Sequence, residues 1–199
     1  MHKKPFFSVI VPAHNSEKFL KYCLESVKTQ AFDDYELIVV CDSCTDGTED
    51  VARDYADKIV VTHYGMDGLA RNAGIEEAEG DWLLFLDHDD WWIHPYVMIE
   101  IWKKICLCDD ADMIIFDFIW KNRGYYVNQA NRMNIAVWSK AFRREFIGET
   151  RFPAIPFTSD DPFMNELLMK RPICYKLDRL MYFYNYMVEG SQTEQHARG

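Results

Sequence analysis

Short runs of apolar residues alternate along the first half of the chain with segments in which apolar residues recur every three or four positions. The runs predict buried strands, and the spaced segments predict helices with one apolar face. The strands predicted in this way are Phe6–Val11, Glu36–Cys41, Lys58–His63 and Trp82–Leu86, and the helices that follow them are Glu17–Gln30, Glu49–Tyr55, Ala70–Ala78 and Pro95–Cys108. Strands that alternate with helices indicate an α/β fold, in which right-handed crossovers build a largely parallel central sheet flanked by helices.

The second half of the chain is patterned less regularly. Strands are predicted at Asp112–Trp120, Ile173–Leu177 and Met181–Met187, helices at Trp138–Ile147 and Asp160–Lys170, and loops at Lys121–Asn134 and Phe152–Phe157. The chain has no internal repeat and no linker rich in glycine and serine, so we expect one domain over residues 1–199. A change in composition after about Trp120 predicts two functional halves within that domain, which we place at 1–95 and 96–199.

The last strand of the first half runs directly into a cluster of carboxylates. Trp82–Leu86 is followed by Asp87, His88, Asp89 and Asp90. In an extended chain Asp87 and Asp89 would point to one side and His88 to the other. Carboxylates this close stay ionised together only with a cation between them, and hard oxygen ligands with room for water and phosphate suit Mg²⁺ or Mn²⁺. The alternative is a solvated acidic turn in which Asp90 caps the next helix.

Charge and cysteine content narrow the classes of function. The 199 residues carry a formal net charge of −10, which argues against a general nucleic-acid-binding protein. A ligand that bears phosphate would therefore need a cation at its site. The six cysteines show no paired zinc spacing and lie mostly in apolar runs, so we expect reduced core thiols in a cytoplasmic protein. The apolar stretch that follows Lys4 is too short for a signal peptide or a membrane span.

Small or polar residues follow several predicted strands, at what would be one edge of the sheet. They are Pro12, Ala13, His14 and Asn15 after the first strand, Asp42 after the second, and Asp87 and Asp89 after the fourth. Ligands of open α/β sheets bind outside the carboxyl ends of the strands. There His14 could stack on a planar base, and Asp42 could accept hydrogen bonds from an imide N–H or from ribose hydroxyls. The alternatives are a capped turn around Asp42 and an N-cap of the first helix at Asn15 or Ser16.

Four motifs in order along residues 6–95 carry a resemblance to a known family. They are Ser8–Asn15 (SVIVPAHN), Asp42–Thr48 (DSCTDGT), Gly68–Gly74 (GLARNAG) and Phe85–Trp91 (FLDHDDW). In order and spacing, this set resembles family 2 glycosyltransferases, which have the GT-A (Rossmann-like) fold and depend on nucleotide sugars. The match continues more weakly through Trp138–Glu145, Ser159–Phe163 and a C-terminal motif from Tyr184 to Ser191.

The resemblance implies a role for each matching residue on the donor side. Pro12, His14 and Asn15 would line the nucleoside site, Asp42 would contact uracil, and Arg71 would lie near the phosphate and ribose. Asp87 and Asp89 would form the Asp-x-Asp element, in which Asp89 is the favoured metal ligand.

On the acceptor side, Asp160 takes the position of the catalytic base, three residues before Phe163. Ser159 stands where the family usually has glutamate, so Asp161 could share or take the role of the base. The alternative for both aspartates is negative charge at the start of a helix, which the helix dipole favours.

The family implies transfer of a sugar from a nucleotide-sugar donor, with a UDP-sugar favoured, to an acceptor hydroxyl with inversion of the anomeric centre. The expected cofactor is Mn²⁺ or Mg²⁺, and the expected acceptor is a saccharide or lipid-linked saccharide. The process would be synthesis of a cell-surface polysaccharide or glycoconjugate, with residues 1–95 binding the nucleotide sugar and residues 96–199 the acceptor. We expect a cytoplasmic location and leave open a peripheral association with the inner face of a membrane.

Two other functions remain as hypotheses. The first is a module that binds nucleotide sugars without turnover, and the features that bear on it are an intact Asp160 and the weak C-terminal motif. The second is a nucleotidyltransferase on a related sheet, which would usually carry a glycine-rich loop with lysine or arginine after the first strand. No such loop follows Phe6–Val11, and the G-x-G-x-x-G and Walker patterns are missing as well.

Overall fold

Nine strands form one mixed sheet in the computed structural model, which describes residues 4–121, 125–128, 130 and 135–185. In chain order the strands are β1 (Phe7–Ala13), β2 (Tyr35–Asp42), β3 (Lys58–Thr62), β4 (Trp82–Phe85), β5 (Trp91–Trp92), β6 (Met113–Lys121), β7 (Tyr125–Asn128), β8 (Lys140–Arg143) and β9 (Cys174–Tyr184). The helices are α1 (Leu20–Lys28), α2 (Thr48–Arg53), α3 (Asp67–Glu77), α4 (Val97–Leu107), α5 (Arg144–Ile147) and α6 (Asp160–Met169), and a 3₁₀ turn spans Val137–Ser139. Neighbouring strands follow the order β3-β2-β1-β4-β8-β6-β9-β5, and β7 pairs with β6.

The first half of the sheet is parallel, as the alternation of strands and helices predicted. β1 pairs in parallel with β2 and β4, and β3 pairs in parallel with β2. Within β1, Val9 and Val11 pack into the apolar cluster on one face and Ile10 into the cluster on the other. A strand covered on both faces needs no polar side, which explains the continuous apolar run. The carboxyl ends of β1, β2 and β4 therefore meet at one edge of the sheet.

The second half contains antiparallel pairs that the alternation did not predict. β8 pairs antiparallel with both β4 and β6, so that Ala141 lies opposite Leu84 on one side and Ile114 on the other. The helix predicted at Trp138–Ile147 was therefore wrong, since this segment forms the 3₁₀ turn, a strand and the short helix α5. Ala141 and Phe142 are fully buried, and pairing along both edges overrides a local pattern that also fits a helix.

One long strand replaces the two that were predicted near the end of the chain. β9 begins at Cys174, within the predicted strand Ile173–Leu177, and ends at Tyr184, within the predicted strand Met181–Met187, of which residues 186 and 187 lie outside the described part. Its pairing with β6 shifts register on either side of Asp117. The polar residues Asp178 and Arg179 therefore lie in an irregularity of one strand rather than in a turn between two.

Two short strands lie where none was predicted. β5 pairs antiparallel with β9, and β7 pairs antiparallel with β6. β7 falls inside the predicted loop Lys121–Asn134, of which residues 122–124, 129 and 131–134 lie outside the described part. The loop predicted at Phe152–Phe157 and the helix predicted from Asp160 are both confirmed.

The helices are short, and α3 lies directly on β1 and β2. A Cβ atom on Gly74 would lie 2.4 Å from Cγ2 of Ile10, so this approach of α3 to the sheet requires glycine. The two longest helices, α3 and α4, have 11 residues each. Within the described ranges, no helix has the length and apolar character needed to cross a membrane.

Aromatic packing fixes the helix that carries Asp160. Phe163 of α6 stacks on Phe152 with ring centroids 3.9 Å apart. Both rings meet Phe85 of β4 edge to face, at centroid distances of 6.5 and 5.7 Å. Because all three rings are buried, the start of α6 is tied to the strand that leads into the acidic cluster.

Candidate active site

A cavity of about 300 Å³ opens at the sheet edge where β1, β2 and β4 end. Six of the residues singled out in the sequence line it, and they are Pro12, His14, Asp42, Arg71, Asp87 and Asp89. The other walls come from Ala13, His88, the α3 residues Asp67 and Ala70, and the loop residues 65–66 and 156–157. Asn15, Asp160 and Asp161 do not line the cavity. The strand ends thus meet as the parallel sheet predicts, whereas the roles of the residues on them stay predictions.

The segment after β1 is held by the loop after β2. His14 Nδ1 lies 2.7 Å from the backbone oxygen of Asp42, and Asn15 Oδ1 accepts a hydrogen bond from the backbone N–H of Thr45 at 2.8 Å. Asn15 has a φ of 47°, in the left-handed region that asparagine tolerates better than most residues. The helix N-cap predicted here was wrong, because α1 begins only at Leu20. Asn15 instead joins two loops at the rim of the cavity.

The Asp42 carboxylate is buried and holds the loop before α3. Its Oδ1 accepts hydrogen bonds from the Thr62 hydroxyl at 3.0 Å and the Tyr64 N–H at 2.6 Å, and its Oδ2 accepts from the Met66 N–H at 3.1 Å. A carboxylate offers about four acceptor positions, so most of those on Asp42 serve the chain itself. A direct contact with uracil therefore stays a prediction.

The acidic cluster after β4 forms a turn rather than an extended segment. Strand pairing ends at Phe85, and the Asp90 N–H donates to the backbone oxygen of Asp87 at 3.0 Å. The expected separation of His88 from Asp87 and Asp89 was therefore wrong, because all three line the same cavity. His88 Nδ1 lies 3.2 Å from the Pro12 backbone oxygen, which joins this turn to the end of β1.

Asp90 supports the turn from behind and does not cap a helix. It is fully buried, and it accepts hydrogen bonds from the Tyr182 hydroxyl at 2.6 Å and the Asn185 N–H at 2.7 Å. Tyr182 also accepts from the Asp87 N–H at 3.2 Å, and Asn185 Nδ2 donates to the backbone oxygen of Asp89 at 3.2 Å. The end of β9 is thus bonded to every aspartate of the turn.

Arg71 lies at the centre of a cluster of carboxylates. Its guanidinium is 2.5 Å from Asp67, 2.8 Å from Asp87 and 3.5 Å from Asp160, and the residue is only 5% exposed. Although burial lowers the pKa of Arg71, the charges of these three aspartates raise it above its ordinary value. Among the described residues, Arg71 Nε has no hydrogen-bond partner. One cation therefore faces three carboxylates.

Asp160 is the first residue of α6 and pairs with Arg71, which lines the cavity. Its Oδ2 accepts a hydrogen bond from the Val137 N–H at 3.2 Å. Burial raises the pKa of Asp160 to about 6, helped by the charges of Asp87 and Asp67, while Arg71 and the Val137 N–H act in the opposite direction. A carboxylate of this kind is a stronger base than an exposed aspartate.

Asp161 differs from its neighbour. Its Oδ1 is buried, and within the part of the chain that the structure describes it has no hydrogen-bond partner. No ion pair joins Asp161 to Arg71 in that part of the chain. Of the two aspartates, Asp160 is therefore the one coupled to the charge cluster.

A comparison with models of protein families shows the family to which the chain belongs. The family model described as glycosyl transferase family 2 matches residues 8–166 of the 199 residues. The chain belongs to glycosyl transferase family 2. The family predicted from the four motifs is thereby confirmed.

A relative named as a glycosyltransferase and two solved structures are also similar to the chain. The putative glycosyltransferase EpsH of Bacillus subtilis is 34% identical over 119 residues, which cover 57% of this chain and 34% of EpsH. The structure of Staphylococcus aureus TarS 1–349 in complex with UDP matches with a TM-score of 0.79 at 24% identity, over 90% of this chain and 60% of that one. Glucosyl-3-phosphoglycerate synthase from Mycobacterium tuberculosis, solved with Mn²⁺, UDP and glucosyl-3-phosphoglycerate, matches with a TM-score of 0.68 at 15% identity, over 93% of this chain and 74% of that one.

These likenesses confirm the mixed α/β fold of the GT-A type. The chain spans less than two thirds of the length of the first curated relatives that it matches. The activity, substrates and partners of the whole protein are therefore matters for a proposal.

The carboxylates of Asp87 and Asp89, which line the cavity, suit a divalent metal. Burial raises the pKa of Asp89, His88 opposes that shift and Asp87 adds to it. Within the described ranges, the Asp89 carboxylate takes part in no ion pair, and no group of three or more metal-ligating side chains occurs. One or two carboxylates with the remaining positions open to water and phosphate are a usual arrangement for Mg²⁺. Asp89, with Asp87 beside it, would hold such an ion.

Some residues of the site were not singled out in the sequence. Asp67 pairs with Arg71 across one helical turn, and its i,i+4 spacing could have indicated the pair. Tyr182 and Lys140 lie in strands far along the chain, and no local signal connects them with the acidic turn or with Asp160. Their placement follows from the sheet order, in which β8 and β9 extend the parallel half.

Proposed function

We propose that this chain transfers a sugar from a nucleotide-sugar donor to an acceptor hydroxyl, with a UDP-sugar as donor and inversion of the anomeric centre. The observation that carries the proposal is the shared guanidinium of Arg71, which lies 2.8 Å from Asp87 in the donor cavity and 3.5 Å from Asp160 outside it. That arrangement joins a site for the leaving nucleotide to a candidate base. Family 2 membership supports the same reaction.

The donor half of the proposal concerns the cavity. Pro12, His14 and Asp42 would surround the nucleoside, and the TarS structure with UDP supports a uridine nucleotide. Arg71 lines the cavity, so its guanidinium would meet the diphosphate. Asn15 does not line the cavity, so its part in nucleoside binding would run through its bond to the Thr45 loop.

A divalent metal would supply charge neutralisation on the departing diphosphate. Asp89 and Asp87 would hold that ion, and the synthase structure with Mn²⁺ and UDP, which has the same fold, supports a divalent metal. Asp90, bonded to Tyr182 and Asn185, would keep the turn in place while the ion and nucleotide bind and leave.

The acceptor half of the proposal concerns Asp160. As general base it would take the proton of the acceptor hydroxyl, a contribution of about 10²–10⁴-fold. Asp160 does not line the cavity but pairs with Arg71, which does, so we assign it to the acceptor rather than to the nucleotide. Attack by that hydroxyl on the face of the sugar opposite the diphosphate would displace the diphosphate in one step and invert the anomeric carbon. Asp161, one residue further on, is the alternative base.

The test is a panel of nucleotide sugars with Mn²⁺, with Mg²⁺ and with EDTA, against a mixture of saccharide and lipid-linked saccharide acceptors. Release of nucleoside diphosphate is the measurement. We expect release from a UDP-sugar that requires metal and rises with one class of acceptor. Metal-dependent UDP binding without release from any donor would point instead to a module that binds nucleotide sugars. A cytoplasmic location and the division at residues 95 and 96 stay predictions.

A further inference from the structure

Lys140 is a buried cation that the proposed reaction does not use. It is the first residue of β8 and has no exposed surface. Lysine is almost never buried completely unless its ammonium group is paired, because removing the charge from water is costly. The hydrogen bonds that its Nζ makes within the described residues therefore indicate what the charge does there.

The contacts of Lys140 lead to Asp160 through one peptide group. The Lys140 Nζ donates to the backbone oxygen of Ala136 at 2.8 Å. The same peptide ends in the N–H of Val137, which donates to Asp160 Oδ2 at 3.2 Å. The Ser139 hydroxyl also donates to the Ala136 oxygen, at 3.0 Å, and accepts from Lys140 Nζ at 3.3 Å.

Through these hydrogen bonds, the charge on Lys140 can strengthen the donor that Asp160 receives from Val137. A cation at the carbonyl end of a peptide polarises it and makes its N–H a better donor, and the effect is larger where water is excluded. A stronger donor to Asp160 favours the ionised carboxylate. Burial lowers the pKa of Lys140 to about 7, against which the charge of Asp160 acts. A neutral amine still donates to Ala136, so the bond that orients the peptide survives above that pH.

We propose that Lys140 is a positioning residue that acts on Asp160 through the Ala136–Val137 peptide, fixing the direction of its carboxylate and holding it ionised. The inference rests on the proposed function, in which Asp160 is the base. Within the described residues, the charges that act on Asp160 come from Arg71 and Asp67 of α3, Asp87 of the turn after β4 and Lys140 of β8, and Asp161 follows Asp160 in α6. Lys140 is the member of this group that reaches Asp160 through the backbone.

The experiment compares Lys140→Met, which removes both charge and donor, with Lys140→Gln, which keeps a shorter neutral donor. Two quantities are measured in each variant and in the wild type. One is the pH profile of kcat/KM, and the other is the pKa of Asp160 from the ¹³C shift of its carboxyl carbon, assigned with Asp160→Asn. For Lys140→Met we expect the acidic limb of the profile and the Asp160 pKa to rise together by about one pH unit. We also expect kcat at high pH to fall about tenfold through lost orientation, with Lys140→Gln recovering part of that loss.

Two controls separate this role from simple support of the fold. Ser139→Ala removes another donor to the same carbonyl but leaves the cation, so it should lower kcat slightly without moving the acidic limb. Lys103→Met makes the same substitution at an exposed position of α4 and should change neither quantity. Metal-dependent UDP binding within about twofold of the wild type serves as the check that each variant is folded.

The outcomes distinguish the inference from the function on which it rests. If Lys140→Met is active and both the acidic limb of its pH profile and its Asp160 pKa equal those of the wild type, the role of Lys140 is overturned. The transferase proposal is then intact. A moved Asp160 pKa in a protein that transfers no sugar would support the coupling and overturn the proposed function. If neither variant at Lys140 folds, the lysine is structural and the inference is wrong.

Discussion

Two cavities lie at opposite ends of the strands and differ in their volume and in the charged residues that line them. The larger, of about 920 Å³, lies at the amino ends of β1 and β4. Its lining includes Lys4, Asp81, Arg143, Arg144 and Arg151. The smaller, of about 300 Å³, lies at the carboxyl ends and contains Arg71 and the acidic turn. By volume alone the first would be the better candidate site.

The charges in the two cavities are satisfied in different ways. In the larger cavity Arg143 donates to the backbone oxygens of Ala111 and Asp109, and Arg144 donates to that of Ala78. In the smaller cavity Arg71 is shared among carboxylates, and Asp89 has no ion pair within the described residues. A cation that holds backbone oxygens is part of the fold, whereas unmatched negative charge in a cleft is ready for a ligand. The carboxylates of the larger cavity are exposed to water, whereas burial raises the pKa of Asp89, so partly buried charge rather than volume separates the two sites.

The largest effect that sharpens this contrast should come from Asp160→Asn. The amide keeps the shape of the side chain but cannot accept the acceptor proton, so transfer should fall by about 10²–10⁴-fold. UDP affinity with metal should stay within about twofold, because Asp160 lies outside the donor cavity. The measurement is the rate of UDP release with donor and acceptor at saturation.

Asp161→Asn is the matched control for that prediction. It changes the neighbouring aspartate, which has no ion pair to Arg71 in the described ranges, and should cost far less activity. If Asp161→Asn loses much of the transfer activity and Asp160→Asn loses little, Asp161 is the general base. If neither variant loses activity, the general base does not lie in α6.

Asp89→Asn should have the next largest effect, on binding. The variant loses the carboxylate that we assign to the metal, so the gain in UDP affinity on adding Mn²⁺ should shrink by about tenfold or more. Calorimetry with UDP in EDTA and in Mn²⁺ measures that gain. Asp109→Asn is the same change at an exposed residue of the larger cavity, where it should leave the gain unaltered. Equal UDP affinity with and without metal in the wild type would contradict the metal assignment.

The dependence on pH should reveal the raised pKa of Asp160. With a value of about 6, the carboxylate loses its basic form as pH falls through that value. At saturating metal, kcat/KM should therefore be level above that pKa and fall by about tenfold per pH unit below it, which gives the profile an acidic limb. The residual activity of Asp160→Asn should lack this limb. A profile flat down to pH 5 in the wild type would place the base elsewhere.

The smallest expected effect is the preference of the site for uracil over cytosine as the nucleobase. If the Asp42 carboxylate accepts from an imide N–H, uracil suits it and the unprotonated N3 of cytosine does not. An unpaired buried polar group costs about 1–3 kcal/mol, so UDP should bind roughly tenfold or more tightly than CDP. Competition binding in Mn²⁺ measures the ratio. Equal affinities would limit Asp42 to holding the loop through Thr62, Tyr64 and Met66.

The first half of the fold could be predicted because its signals are local. Apolar runs such as Trp82–Leu86 and the polar residues that end them follow from short stretches of sequence, and parallel pairing then brings Asp42 and Asp87 to one edge. The second half could not be predicted in the same way. Lys140–Arg143 becomes a strand because β4 and β6 offer it two edges, and those edges lie far away in the chain.

The sequence by itself determined the family, the parallel half of the sheet and the edge at which polar residues collect, because each depends on short runs and their order. Only the tertiary structure decided which charges meet. Arg71 and Asp160 lie 89 positions apart, yet they come within 3.5 Å because α3 and α6 pack beside the same strand end. The burial of Lys140 and the turn that brings His88 into the cavity were decided in the same way. Contacts of this kind depend on how distant elements pack, which no local pattern of residues records.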